Sequence, residues 1–206
     1  MIVAIIPAAG RSERMGRPKL LLPLGPRRVI EHVLDAIAAS RIDRTIVVVP
    51  PAADELAAIA RAAGADVARL DQQTPDMRST ILRGLAHAES ICGPRPPAAF
   101  LLSPADHPLQ SPKIIDELIA RFRGSAQSIV IPTHGGRRGH PVLFSWKHVA
   151  AIRAIPFDRG LNQLVAELAK EVEECPSDDP RVVEDMDTPH DYERMLRSFS
   201  AGNSVQ

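Results

Sequence analysis

The chain has 206 residues, 45% of them hydrophobic, and its 25 basic side chains balance 25 acidic ones. That length suits one α/β domain with a sizeable core, and a formal charge of zero argues against a nucleic-acid footprint or a general attraction to a membrane surface. No apolar run approaches the roughly 20 residues of a membrane span. Cys92 and Cys175 lie far apart without metal-ligand spacing and read as ordinary reduced thiols, so a cytoplasmic protein is expected.

The first element is the continuous apolar run Ile2-Val3-Ala4-Ile5-Ile6, which suits a strand buried on both faces of a parallel sheet. It has no basic stretch before it, so it does not read as a signal segment. A loop follows with the small residues Ala8, Ala9, Gly10, Ser12 and Gly16 and the cations Arg11, Arg14, Arg17 and Lys19. Small residues let a ligand approach the backbone, whose N–H groups can then point at phosphate oxygens. Arg adds a planar fork and Lys a point charge for the same oxygens. The loop therefore reads as a polyphosphate cradle at the C-terminal end of a strand, where open α/β sheets place ligands. A plain strand–turn with solvated arginines is the bland alternative. Two familiar phosphate loops are excluded: Gly10 and Gly16 are too far apart for G-x-G-x-x-G, and Gly16 is followed by Arg17-Pro18 rather than Lys-Ser/Thr.

Further along, Arg28 to Ala39 has apolar residues at helical spacing, Thr45 to Val49 is a second buried strand, and Asp54 to Ala63 is an Ala-rich helix closed by Gly64. Ala65 to Leu70 reads as a third strand, and this alternation is the mark of a wound α/β sheet. Ser79 or Thr80 suits the N-cap of a helix that turns Ile81, Leu82 and Leu85 inward. Ala98 to Leu102 is another strand, ending in Asp106-His107-Pro108. A carboxylate just past a buried strand is well placed to hold a divalent ion beside a triphosphate, although Asp is also a common turn former. Ser111-Pro112 starts a helix that runs to Arg123, and Ser128 to Ile131 is a strand. Gly135-Gly136 suits a hairpin-like excursion before a return strand at Val142 to Phe144. Leu161, Leu164, Val165 and Leu168 share a helical face, and short strands are expected between Glu171 and Val183. Asp187 or Thr188 with Pro189 suits the start of a closing helix. Residues 1–198 read as one domain and 199–206 as a loose tail.

Several of these segments, in order, resemble the MobA-like nucleotidyltransferases, and most closely their molybdenum cofactor cytidylyltransferase branch. The long stretch Ala8-Ala9-Gly10-x-Ser12-x-Arg14-Met15-Gly16-x-x-Lys19-x-Leu21-Leu22-Pro23-Leu24 carries most of the likeness. Met77-Arg78-Ser79-Thr80 leading to Gly84-Leu85, Asp106-x-Pro108, Gly139-His140-Pro141-Val142-Leu143-Phe144 and Asp187-Thr188-Pro189-x-Asp191 add to it, with a weak Asp158-x-Gly160 match. Asp76 departs from the pattern where glycine is common, and Asp71 where Asn is common.

The resemblance implies a three-layer, Rossmann-like, mostly parallel sheet of the nucleotide-diphospho-sugar transferase (GT-A-like) type. It implies a Mg2+-dependent transfer of CMP from CTP to the terminal phosphate of molybdopterin, with pyrophosphate released and a molybdoenzyme as recipient of the product. Lys19 and Arg14 would be catalytic. Ala8, Ala9, Gly10, Arg11, Ser12, Ser79 and Thr80 would bind the nucleotide, Asp106 and Asp187 the metal, and Arg138 (or Arg137) and His140 the acceptor. Ala9 favours a pyrimidine, because the guanylyl branch has glycine there, and one methylene is worth roughly 1–3 kcal/mol in selectivity. The alternatives are a GTP-dependent or sugar- or polyol-phosphate enzyme of the same fold, or a non-catalytic nucleotide- or cofactor-binding accessory.

Overall fold

The structure is a computed structural model that describes residues 1–74, 76–156 and 159–202, excluding the side chains of 200–202. The Asp158 of the weak Asp-x-Gly match therefore lies outside the described residues. The ordered strands are β1 (Ile2–Pro7), β2 (Pro23–Leu24), β3 (Arg27–Arg28), β4 (Arg44–Val49), β5 (Asp66–Arg69), β6 (Ala99–Leu102), β7 (Ile129–His134), β8 (Arg137–Arg138), β9 (Val142–Ser145) and β10 (Val172–Pro176). The helices are α1 (Val29–Ala38), α2 (Asp54–Ala62), α3 (Met77–Cys92), α4 (Pro112–Gly124), α5 (Val149–Ala154), α6 (Leu161–Glu167) and α7 (Pro189–Gly202).

One sheet carries the fold, in the order β10-β7-β9-β6-β1-β4-β5, with β8 folded back on β7. β1 pairs in parallel with β4 and β6, β4 with β5, and β7 with β10; β9 runs antiparallel between β6 and β7. This is the mostly parallel wound sheet that the strand–helix alternation predicts. Side chains alternate across it. Ile2, Ala4 and Ile6 of β1 pack in one core with α1, α2, α4 and α7, while Val3 and Ile5 pack in the other with α3, α5 and α6. Three layers result. Gly84 lets α3 lie close on this second face: a Cβ there would stand 2.6 Å from the Ile5 Cγ2 and 3.1 Å from the Val48 Cγ2.

Caps set the helix starts. The Ser111 hydroxyl accepts the Ile114 N–H at 3.3 Å, with Pro112 first in α4, as expected. α3 begins differently. Asp76, not Ser79 or Thr80, is its cap, because its carboxylate takes both the Ser79 N–H at 2.7 Å and the Ser79 hydroxyl at 2.9 Å. At α7, Thr188 and Asp191 cap reciprocally: the Thr188 N–H donates to Asp191 at 2.9 Å and the Asp191 N–H to the Thr188 hydroxyl at 3.2 Å. The expected loose tail from 199 is helical through Gly202, because Phe199 packs on the core beside Gly25 and sets its ring 4.7 Å from His32. The Gly135-Gly136 turn, with φ of 56° and 75°, joins β7 to β8 as a tight hairpin.

Candidate active site

β1 has β4 on one side and β6 on the other, so the sheet opens at the C-terminal end of β1, where wound sheets bind ligands. The chain leaves β1 there as the cation loop. Ser12 holds a left-handed backbone, φ 54°, and its carbonyl accepts the N–H of Met15 at 3.0 Å and of Gly16 at 3.1 Å. The Ser12 hydroxyl accepts the Lys19 N–H at 3.2 Å, so this side chain shapes the loop that it lines. The segment after the loop is tied to α7, where the Tyr192 hydroxyl donates to the Pro23 carbonyl at 2.6 Å and Arg17 lies 5.6 Å over the Tyr192 ring. Arg17 is thereby a strut rather than part of the cradle.

Beside the loop lies a cleft of about 330 Å³. Of the residues expected to act on the nucleotide or metal, Ala8, Ala9, Gly10, Arg11, Ser12, Arg14, Lys19, Thr80, Asp106 and Asp187 all line it. At its floor, the Lys19 ammonium sits 2.7 Å from Asp106 Oδ2 and 2.9 Å from Asp187 Oδ1, and Arg14 donates to Asp187 Oδ2 at 2.6 Å. The backbone draws the two distant carboxylates together: the N–H of the buried Met186 donates to the Asp106 carbonyl at 2.9 Å.

Burial disfavours the Lys19 ammonium, yet Asp106 and Asp187 together outweigh it and hold its pKa above the ordinary lysine value. Burial likewise works against the Asp187 carboxylate, but Lys19 and Arg14 prevail and lower its pKa. Both shifts favour the charged forms, a Lys19 ammonium against an Asp187 carboxylate. Among the described residues no three His, Cys, Asp or Glu side chains are placed to hold a metal by themselves. Two carboxylates converging on one cation fit a hard divalent ion whose remaining ligands are phosphate oxygens or water.

Not every predicted residue is here. Ser79 spends its hydroxyl on Asp76 and is not part of the cleft lining. Arg138 is exposed on β8, its Nε 2.9 Å from Glu174 on β10. His140 is not part of the cleft lining. Its ring meets His107 edge-on with centroids 4.8 Å apart, and the His107 Nε2 lies 3.9 Å from Asp106. The Nδ1 atoms of both rings are buried without a partner. Burial pushes the His140 pKa down to about 4, with His107 adding and Asp106 opposing. Gly139, beside it, touches the chain crossing over it, since a Cβ would fall 2.1 Å from the Val182 carbonyl oxygen.

The sequence assigns no role to His107, and it offers Met77 and Asp76 only as part of the family likeness; Thr74, Asp76 and Met77 line the cleft beside Thr80. Met77 is 51% exposed there, a large apolar side chain left in water.

A cation loop over paired carboxylates, at the switch point of a wound sheet, has the chemistry to receive the phosphates of a nucleotide. Residues 4–173 match the model of the MobA-like NTP transferase domain, and the chain belongs to that family of nucleotidyltransferases. It is 27% identical over 196 residues to the 2-C-methyl-D-erythritol 4-phosphate cytidylyltransferase of Nocardia farcinica, covering 91% of this chain and 82% of that one. Rv0371c of Mycobacterium tuberculosis H37Rv superposes with a TM-score of 0.82 at 28% identity, covering 95% of this chain and 98% of that one. A second structure of Rv0371c, a complex with manganese, superposes with a TM-score of 0.76 at 27% identity, covering 96% and 98%. No helix among the described residues is long and apolar enough to cross a membrane.

Proposed function

We propose that this chain transfers CMP from CTP to the terminal phosphate of molybdopterin, with Mg2+, and releases pyrophosphate. The observation that carries the reading is the Lys19–Asp106–Asp187–Arg14 cluster at the mouth of the cation loop. No side chain there is a ready nucleophile, so the acceptor must supply the attacking oxygen. An acceptor phosphate oxygen bonds to the α-phosphorus, the bond from that phosphorus to the bridging oxygen breaks, and pyrophosphate leaves in line.

Such chemistry is mostly positioning and charge stabilisation. Lys19 would meet the charge developing on the α-phosphate, and Arg14 the departing pyrophosphate. Asp106 and Asp187 would hold Mg2+, which when bound would neutralise charge shared between phosphate oxygens. Gly10 supports the cradle: its φ is not left-handed and a Cβ would meet nothing within 4 Å, so the protein itself has no packing need for glycine there. A backbone-hugging ligand would supply one. Ala9 and the compact cleft support a pyrimidine. Arg138 and His140 are proposed on the acceptor side of Asp106, His140 acting through His107. The free thiols Cys92 and Cys175 are consistent with a cytoplasmic enzyme.

A second acceptor is favoured by the Nocardia relative, whose name specifies a polyol phosphate. Pyrophosphate release is the test, with CTP, GTP and ATP each offered molybdenum-loaded molybdopterin or 2-C-methyl-D-erythritol 4-phosphate. Turnover with CTP and molybdopterin supports the proposal. Turnover with the polyol phosphate moves the enzyme to the second reading, and turnover with GTP overturns the reading of Ala9. Tight nucleotide binding without pyrophosphate from any pair points to the accessory role.

A further inference from the structure

The two walls of the cleft differ in chemistry. Arg11, Arg14 and Lys19 line one, with Asp106 and Asp187 beneath them; Thr74, Asp76, Met77 and Thr80 line the other, at the start of α3. A triphosphate belongs against the cations, and the Asp76 carboxylate would repel it. The base of the same nucleotide then falls toward α3.

What Asp76 can offer a base is narrow. An ionised carboxylate only accepts, through about four lone-pair sites on its two oxygens. The Ser79 N–H and hydroxyl take one site on each oxygen, at 2.7 and 2.9 Å. These bonds fix the carboxylate in place and leave each oxygen able to accept once more. Its neighbour Thr80 is buried, with its hydroxyl 3.4 Å from the Asp76 carbonyl and 3.5 Å from the Thr74 hydroxyl, and can donate or accept.

We infer that Asp76 is a specificity-determining residue that accepts a hydrogen bond from the exocyclic amino group of the bound base, which in CTP is the 4-amino group of cytosine. Uracil carries a carbonyl oxygen at that position, and two acceptors then face each other with no proton between them. A carboxylate accepting from the cytosine amino group is a pairing that chemistry uses elsewhere. The inference rests on the nucleotide reading above and adds to it the residue that selects the base.

The competing account makes Asp76 a helix cap and nothing more. Asn and Ser cap about as well as Asp, so Asp76→Asn and Asp76→Ser keep α3 while removing the charge. The Asn amide can also donate to a carbonyl. The experiment measures the Kd of CTP and of UTP, each with Mg2+, for the full chain and both variants, with the thermal midpoint of each. The expected result is that the unaltered chain binds CTP about 10-fold or more tighter than UTP. Asp76→Asn then loses most of that preference at an unchanged midpoint, and Asp76→Ser does the same. An unaltered chain that binds both nucleotides equally, or variants that keep the full preference, would overturn the inference and leave the nucleotide reading standing. An unaltered chain that binds neither nucleotide would overturn that reading itself.

Discussion

Two polar clusters sit at opposite ends of the sheet, one with its serine and histidine buried and the other lining a cleft. At the far end, the His148 ring lies 2.7 Å from the Ser128 hydroxyl, which donates to Glu171 at 2.6 Å; Lys147 completes the set at 2.6 Å from the same Glu171 oxygen. The single hydroxyl proton goes to the carboxylate, so His148 must donate to Ser128. The residue types are those of a hydrolytic triad, but the order of donors is not, and Ser128 and His148 are buried. At the near end, Lys19, Asp106, Asp187 and Arg14 are as well paired, yet all four line open space. Pairing alone marks neither cluster as a site. The difference is a cavity and charges that an incoming phosphate can share.

The comparison predicts opposite responses to mutation. Lys19→Ala should lower kcat/KM for pyrophosphate release on the order of 10²–10³-fold while leaving the fold intact, since one preorganised contact to developing charge is lost. Steady-state kinetics beside a melting curve would show it, and near-normal activity would remove Lys19 from the chemistry.

His140 responds to acid. The folded His140 pKa, near 4, lies below the ordinary value of 6.5 because of burial first and His107 second. Below pH 6.5 the unfolded chain takes up a proton that the folded chain refuses, so stability is full above pH 6.5 and falls as pH drops toward 4. The loss is on the order of 3 kcal/mol by pH 4. Thermal unfolding at several pH values should show this slope, and His140→Gln should flatten it.

At the closed cluster, Ser128→Ala should reverse the Lys19 pattern. It strands the buried His148 donor and costs about 1–3 kcal/mol of stability, with kcat unchanged at temperatures where the variant stays folded. A comparable loss of kcat at full stability would mean that the closed cluster communicates with the site. Smallest is Arg138→Ala, whose exposed pair with Glu174 is worth less than about 1 kcal/mol. A raised acceptor KM in this variant would place Arg138 at the acceptor, and an unchanged KM would leave it a surface pair.

The near end was largely legible in the sequence, and for a physical reason. The β1 run and the cation loop are contiguous, so spacing and charge stand together along the chain. Asp106 and Asp187 were legible as carboxylates beyond a strand and before a helix. Their meeting was not, because it depends on the Met186–Asp106 backbone bond between segments far apart. Hydroxyls were harder to read. Ser79 and Thr80 are neighbours, but a helix turns successive side chains about 100° apart, which leaves Thr80 on the cleft and Ser79 on Asp76. The setting of His140 was not legible, because a sequence carries no sign of the His107 ring packed edge-on against it.

Pyrophosphate release from CTP with Mg2+ and molybdopterin, compared between the unaltered chain, Lys19→Ala and Asp106→Ala, tests the central claim most directly. The account predicts turnover by the unaltered chain that each substitution lowers on the order of 10²–10³-fold. Near-normal turnover in either variant would contradict it, because the chemistry would then lie outside the cluster at the mouth of the cation loop.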